Sequence, residues 1–405
     1  MGRRPRAAVP FPPETKEPSC LPKHQGPIPR TRGRGGDKSP QNQPPHDSGT
    51  VWTFTPGAKP ILPEAVGEDS ILRFPEWVLR GIGQVDFQNN WLTGLVILIA
   101  VFYNSWIYGV DCILGTAVAT LTAMALKANK DLIKAGLFSF SGALLAIGVN
   151  AYLSKNFTHG QVPTWRLYVY IIIGSALTAV IGAAIMSVMG PLKVPTFTWP
   201  FNIAGWLLVF AALKFTAFHA GPNLVAALPH GFHGTGGYTG QVWYKGIGNG
   251  IAEVFFQDNW KTGYIMAFAL AINTRIGALM ALAGSAIGVG SGIVLGASAA
   301  TIQAGLFGYN DVLTMMALGG FFFILNYRGL LWATAGTIVT TIVWAAVTVG
   351  FAPAGMPAFT GPFCIVATFA LLAKHQFPAL AAVAPANATT PEDNLRRWRA
   401  GEDLS

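Results

Sequence analysis

Long apolar runs alternate with short polar or glycine-containing breaks through the middle of this chain. Examples are Trp91–Ile107, Leu167–Met189, Ile203–Phe218 and Leu330–Phe351. Each run is about long enough to cross the roughly 30 Å hydrocarbon layer of a bilayer as an α-helix. A soluble domain has no use for so many runs of this length. The pattern therefore predicts a polytopic membrane protein in contact with membrane lipids.

Composition and charge agree with this prediction. The 405 residues are 52% hydrophobic and 11% charged, whereas soluble domains are about one quarter charged. The net charge of +9 does not indicate nucleic-acid binding, because the basic residues are concentrated near the two ends of the chain. We expect both termini on the cytoplasmic side of the plasma (inner) membrane. Residues 1–67, rich in Pro, Gly and Arg, are predicted to be a disordered tail.

An internal repeat is the most informative feature of the sequence. Residues 81–94 and 250–263 share nine of fourteen positions at an offset of 169, where chance would give about one. Two further matches are Ala135–Phe138 with Ala304–Phe307 at the same offset, and Pro195–Phe201 with Pro357–Phe363 at an offset of 162. The repeat predicts a membrane half at 68–222, a linker at 223–240, a second half at 241–378 and a C-terminal tail at 379–405.

Each half is predicted to contain five transmembrane helices after a short polar stretch. The first five helices are predicted over 91–108, 110–127, 132–153, 165–189 and 199–219. The second five are predicted over 260–275, 277–299, 301–325, 328–351 and 361–378. Because five is odd, equivalent points should face opposite sides of the membrane, as in inverted-topology repeats. The polar stretches 71–88 and 242–257 are predicted to be re-entrant half-helices beside a pore between the halves. The predicted fold class is all-α.

The doubled segments place similar side chains at equivalent positions. The pairs are Gln84 with Glu253, Val85 with Val254, Phe87 with Phe256, and Thr198 with Thr360. Taken singly, an amide fits helix packing, a threonine fits a helix cap and a phenylalanine fits a core. Their shared positions in the repeat favour a path for a polar solute instead. Glu253 adds to this, since an ionisable group at membrane depth is costly and marks a functional site.

The doubled motifs resemble those of the urea transporters of bacteria and vertebrates. The motifs are P-x-x-T-x-P-F, [QE]-V-x-F-Q-x-N-W and Gly305–Asn310, and the resemblance runs from about residue 70 to 378. It implies a homotrimer in which each subunit has its own pore with a selectivity filter of outer, middle and inner sites. Gln84, Glu253 and the two threonines would then border the middle site. The outer and inner slots would be formed by Phe87 with Leu144 and Phe256 with Leu313. One departure is Gly136–Ser141, where the first copy of the glycine-asparagine motif has changed.

The resemblance predicts passive, selective conduction of urea down its gradient. Urea is planar, so a pore for it needs a flat apolar slot. The pore also needs hydrogen-bond acceptors along the edges of the slot, because each unmet N–H of urea costs roughly 1–3 kcal/mol. Two alternatives stay open at this point: a proton-coupled secondary transporter that uses Glu253, and a pore for ammonia or short amides. No catalytic motif is present, so an enzyme is not expected. Neither a cofactor nor a metal is expected; His219, His230 and His233 are predicted to lie in an exposed loop.

Overall fold

The computed structural model describes residues 56–63, 65–67, 69–156, 158–218, 224 and 237–405. Most of the predicted N-terminal tail and most of the predicted linker lie outside these residues. His219, His230 and His233 also lie outside them. The first half contains α1 (Phe74–Gln84), α2 (Trp91–Asn104), α3 (Trp106–Ala125), α4 (Lys130–Lys134), α5 (Phe140–Leu153), α6 (Trp165–Met189) and α7 (Trp199–Ala212). The second half contains α8 (Gly240–Ala252), α9 (Trp260–Asn273), α10 (Arg275–Val294), α11 (Ala299–Gln303), α12 (Tyr309–Met316), α13 (Tyr327–Phe351) and α14 (Gly361–Ala373), and α15 (Pro391–Arg399) follows.

The helix boundaries reproduce the sequence repeat. Helices α2, α3 and α4 begin and end 169 residues before α9, α10 and α11, and α6 begins and ends 162 residues before α13. The change of offset falls between α5 and α6, where the second copy is shorter. There, α12 ends at Met316 and passes into a π-helical turn, Ala317–Phe321, whereas α5 continues to Leu153. The two halves are therefore built alike except in this region.

Four of the described helices are long and apolar enough to cross a membrane alone: Trp106–Ala125, Trp165–Leu192, Arg275–Val294 and Tyr327–Ala354. Helices α2, α7, α9 and α14 have 13 or 14 residues, which corresponds to about 20 Å. Buried irregular segments precede α7 and α14. Such backbone is tolerated at membrane depth where protein surrounds it. The chain is a mostly helical protein of the membrane-embedded type.

The third predicted helix of each half is broken, so the continuous spans predicted at 132–153 and 301–325 are wrong. The short helices α4 and α11 end just before Gly136 and Gly305, whose φ angles are 75° and 84°. A positive φ is accessible to glycine at little cost but not to most other residues. A Cβ at Gly136 would also lie 2.4 Å from the backbone of α1, and a Cβ at Gly305 would lie 2.4 Å from the backbone of α8. Each glycine therefore allows the break and a close backbone contact.

Helices α2 and α9 contact each other in antiparallel orientation. At one end Asn273 donates from Nδ2 to Gln88 Oε1 at 2.7 Å, and at the other Asn104 donates from Nδ2 to Gln257 Oε1 at 3.0 Å. These two bonds join equivalent positions of the repeat with the halves exchanged. Hydrogen bonds between amide side chains at the helix ends fix the position of α2 along α9 and also add stability. The pair thus has an approximate two-fold relation.

Residues 58–66, which lie inside the predicted tail, contact side chains at the start of the first half. Trp91 Nε1 donates to Lys59 O at 2.9 Å, Arg80 Nη2 donates to Ala58 O at 3.0 Å, and Arg73 Nη2 donates to the carbonyls of residues 63 and 66. The side chain of Arg73, just before α1, and side chains of α1 and α2 therefore bind the backbone of this segment. Composition could not show this, because carbonyl groups are common to all residues.

The C-terminal tail predicted at 379–405 also contains ordered structure. Thr390 caps α15 by accepting a hydrogen bond from Asp393 N, and Pro391 occupies the first turn, where a missing N–H costs nothing. Val383 and Leu404 are buried with Ile324 in a small apolar cluster. This segment is therefore packed against the second half.

Candidate functional site

A buried polar cluster lies where the starts of α7 and α14 meet. The hydroxyl groups of Thr198 and Thr360 are 2.6 Å apart. Asn202 Nδ2 donates to Thr360 Oγ1 at 3.0 Å, and Cys364 Sγ lies 3.1 Å from Thr198 Oγ1. All four side chains are at most 3% exposed. The polar cluster is thus formed by two residues from each half, and these residues form two pairs of equivalent positions in the repeat.

Local sequence explains why these threonines face each other. Each occupies the N-cap position of its helix, and a proline at the second helical position starts the helix. Neither hydroxyl caps its own helix, although that is the common role of threonine at this position. The helix-cap alternative is therefore wrong for Thr198 and Thr360. Their hydroxyls contact the opposite half instead.

The polar cluster departs from symmetry at one pair of positions. Asn202 and Cys364 are equivalent in the repeat, but a carboxamide is a strong hydrogen-bonding group and a thiol a weak one. Among the residues that the structure describes, Asn202 Oδ1 has no hydrogen-bond partner. An unmet buried acceptor costs free energy unless water or a solute reaches it. The cluster can therefore accept a further hydrogen bond.

One set of aromatic rings includes the residues next to the polar cluster in the chain, Phe197 and Phe363. The ring of Phe87 lies 5.5 Å from Phe321, 5.8 Å from Phe322 and 6.1 Å from Phe363, measured between centroids. Phe197 lies 5.0 Å from Phe363. Two of these residues belong to the first half and three to the second, so this set of rings is assembled from both halves.

A second set of rings contains the residues that are equivalent in the repeat to Phe87, Phe197 and Phe363. Phe359 lies 4.8 Å from Phe201, 5.4 Å from Tyr152 and 6.2 Å from Phe256. Phe201 and Phe363 are equivalent positions. Each contacts a phenylalanine of the opposite half, Phe359 for Phe201 and Phe197 for Phe363. Flat apolar walls of this kind suit a planar solute, whose faces carry no hydrogen-bonding groups.

Four of these phenylalanines adopt left-handed backbone conformations. The φ angles are 63° at Phe87, 59° at Phe256, 46° at Phe197 and 49° at Phe359. A bulky residue in this region costs of order 1–3 kcal/mol. The strain occurs at equivalent positions of both copies, immediately beside the polar cluster. Strained backbone of this kind clusters at ligand sites and holds side chains in fixed directions.

The remaining predicted residues lie at or just after the ends of the short helices α1 and α8, or in α5 and α12. Gln84 is half-buried and donates from Nε2 to Ala135 O at 3.0 Å. Glu253 begins a 3₁₀ turn after α8 and is 8% exposed. Val85 and Val254 are buried beside them.

Leu144 and Leu313 are fully buried in the same hydrophobic core. The nearest atom to a Cβ built on Gly148 of α5 is Phe256 Cζ, at 3.1 Å. Phe256 of the second half therefore packs against Gly148 of the first half, which lies one helical turn from Leu144 on α5. The pairing of each phenylalanine with the leucine of its own half stays a prediction.

Sequence reasoning missed several residues of this site. Phe197, Phe359, Phe201 and Phe363 lie inside the doubled proline motifs, so the repeat carried a signal for them. Asn202 and Cys364 follow the motif directly, but they differ from each other and a search for identities passes over them. Phe321 and Phe322 had no such signal, because they lie where the two copies diverge.

Comparison with known proteins agrees with this architecture. The family model described as "Urea transporter" matches residues 75–375. The chain belongs to the urea transporter family. The chain is 29% identical to urea transporter 1 of Ovis aries over 373 residues, which cover 89% of this chain and 93% of the relative. Urea transporter 1 of Rattus norvegicus is 29% identical over 327 residues, covering 80% and 83%. Members of this family are transport proteins, not enzymes.

Proposed function

We propose that the protein conducts urea passively across the membrane through a pore between its two halves. The observation that carries this proposal is the buried polar cluster of Thr198, Thr360, Asn202 and Cys364, flanked by two sets of aromatic rings. Each set combines residues of both halves. Membership of the urea transporter family supports urea as the solute.

The chemistry of urea fits such a site. Its flat faces slide between aromatic walls, and its N–H groups meet hydroxyl and carboxamide oxygens in the polar cluster. The two threonine hydroxyls bond to each other at 2.6 Å, so passing urea replaces one hydrogen bond with another. Exchange of this kind keeps binding weak, which conduction requires. Gln84, Glu253, Val85 and Val254 complete the path at the ends of the half-helices.

The arrangement of the halves supports an inverted-topology repeat. Antiparallel α2 and α9 meet through equivalent amide bonds at their two ends, as expected when two copies insert in opposite orientations. In this proposal the protein is a homotrimer of the plasma (inner) membrane with both termini in the cytoplasm. Each subunit has its own pore.

Urea uptake into proteoliposomes tests the proposal. We expect the stopped-flow uptake rate to rise in proportion to the urea gradient and to need no sodium, proton gradient or ATP. Urea, formamide and ammonia are compared in the same vesicles, since a pore for ammonia or short amides would rank them differently. Vesicles with folded protein but no urea uptake above that of empty vesicles would end the proposal.

Glu253 motivates a second candidate, a proton-coupled transporter. A carboxylate at membrane depth can bind a proton in one step and release it in another. We expect Glu253→Gln, which keeps an acceptor but cannot ionise, to retain urea uptake within roughly fivefold of wild type, as one hydrogen bond is worth about 1 kcal/mol. Urea accumulation above equilibrium, driven by a pH gradient and lost in Glu253→Gln, would instead favour coupling.

A further inference from the structure

One stretch of the aromatic wall has an unusual backbone. We call residues Gly320–Ile324 the aromatic turn, because it places Phe321 and Phe322 against Phe87. Gly320 has a φ of 141°, and Gly319 is also non-helical. The equivalent stretch of the first half continues as regular α-helix through Tyr152 to Leu153. The aromatic turn therefore departs from the helical conformation that its counterpart has.

The C-terminal segment forms hydrogen bonds with the backbone of the aromatic turn. We call residues Ala381–Ser405 the C-terminal clasp. Its Asn394 donates from Nδ2 to the carbonyl oxygens of residues 320 and 321, at 2.9 and 3.1 Å. Val383 N donates to the carbonyl of residue 322 at 2.9 Å, and Ile324 N donates to Ala381 O at 2.8 Å. Three consecutive carbonyls of the aromatic turn are thus bound by the clasp.

Packing fits the clasp closely against the aromatic turn. Asn394 is fully buried. A Cβ at Gly320 would lie 2.5 Å from Pro391 Cβ, so only glycine permits this approach. Unbound carbonyls in a water-poor site cost free energy. Without the clasp, the aromatic turn would have to change conformation or admit water.

The clasp is also fastened at a point away from the aromatic turn. Glu392 accepts hydrogen bonds from Thr274 Oγ1 at 2.6 Å and from Ile276 N at 2.8 Å, at the start of α10. The carboxylate thus occupies the positive end of the α10 helix dipole, where it is favoured. The match to the family model ends at residue 375, so the clasp lies outside the region that the family model describes.

We propose that the C-terminal clasp supports the pore wall and that Asn394 is a positioning residue for the aromatic slot formed by Phe87, Phe321 and Phe322. The inference rests on the proposed urea conduction. Asn394 does not touch the solute; it fixes the carbonyls on either side of Phe321. The distances between the rings of the slot depend on these hydrogen bonds. The discrimination between urea and a wider amide therefore depends on them as well.

Two variants loosen the clasp from different sides. Asn394→Ala removes the donor to the aromatic turn, and Glu392→Ala removes the anchor on α10. Arg399→Ala is the matched control, because Arg399 is exposed on the same helix. We expect the first two variants to lower the ratio of urea to N-methylurea permeability by roughly fivefold, if the full contribution of one hydrogen bond is transmitted to the slot. The ratio of the control should equal that of wild type.

Hydrogen–deuterium exchange separates a positioning role from a purely structural one. We expect faster exchange in the peptide 317–326 of both variants in the full-length protein. Faster exchange with an unchanged permeability ratio would overturn the proposal, because the clasp would then stabilise the turn without shaping the slot. Unchanged exchange would overturn it too, since the clasp would not hold the turn.

A failure to fold still leaves a test. Glu392→Gln keeps one of the two acceptors and so loosens the clasp more mildly; the same two readouts then decide. Absence of urea conduction by wild type would count against the proposed function, whereas the exchange result on the aromatic turn would still test the clasp.

Discussion

Gly263→Ala is expected to destabilise the protein by about 3 kcal/mol, at the upper end of the range for overpacking. A Cβ at Gly263 would lie 1.7 Å from the carbonyl oxygen of Gly248 and 2.7 Å from its carbonyl carbon. Backbone, unlike the end of a long side chain, cannot rotate away. Helix α8 would have to move away from α9, and with it Glu253 and Phe256, which follow α8 and line the proposed pore. Thermal unfolding in detergent and urea uptake measure the two consequences.

The chain offers a matched control for this change. Gly350 lies near the end of α13, and a Cβ there meets nothing within 4 Å. Gly350→Ala should be neutral or slightly stabilising, because alanine is a better helix former than glycine. Equal melting temperatures and uptake rates for the two variants would contradict the close packing of α8 on α9. Gly94, the equivalent of Gly263, makes the same kind of contact, with Leu79 O at 1.9 Å.

The sequence predicted the paired helices well because the repeat carries two copies of each boundary signal. Trp91 and Trp260 follow asparagines that cap α2 and α9, and the two prolines two residues after Thr198 and Thr360 mark the starts of α7 and α14. The breaks at Gly136 and Gly305 also had a signal, a doubled Ala-Gly-Leu-Phe segment. We predicted continuous helices there because the apolar run does not stop at the glycine.

The exchange of aromatic residues between the halves was beyond prediction from the sequence. A repeat shows which residues are equivalent but not which copy each one contacts. Phe201 contacts Phe359 rather than the phenylalanine of its own motif because α7 and α14 cross at their starts, a tertiary arrangement without a local pattern. The C-terminal clasp did have a local signal, since Thr390-Pro-Glu-Asp393 is a typical helix start. Its charge suggested a tail instead.

Thr360→Val is expected to lower urea permeability about tenfold or more. Valine keeps the approximate shape but removes the oxygen that bonds Thr198 and accepts from Asn202. Urea passing this point would leave an N–H unmet, at roughly 1–3 kcal/mol, and about 1.4 kcal/mol corresponds to a factor of ten. Asn202 would lose one of its two oxygen acceptors as well. Stopped-flow uptake per amount of folded protein measures the effect.

Comparison with two other threonines makes this prediction specific. Thr198→Val should have a smaller effect: both variants break the bond between the two hydroxyls, but Thr198→Val otherwise leaves only the weakly bonding thiol of Cys364, whereas Thr360→Val leaves the carboxamide of Asn202. Thr122→Val is the control, since Thr122 lies on α3 and donates to Val118 O within its own helix; its uptake should match wild type. If Thr360→Val and Thr122→Val conduct urea equally, the polar cluster does not contact the solute. The path would then have to pass elsewhere between the halves.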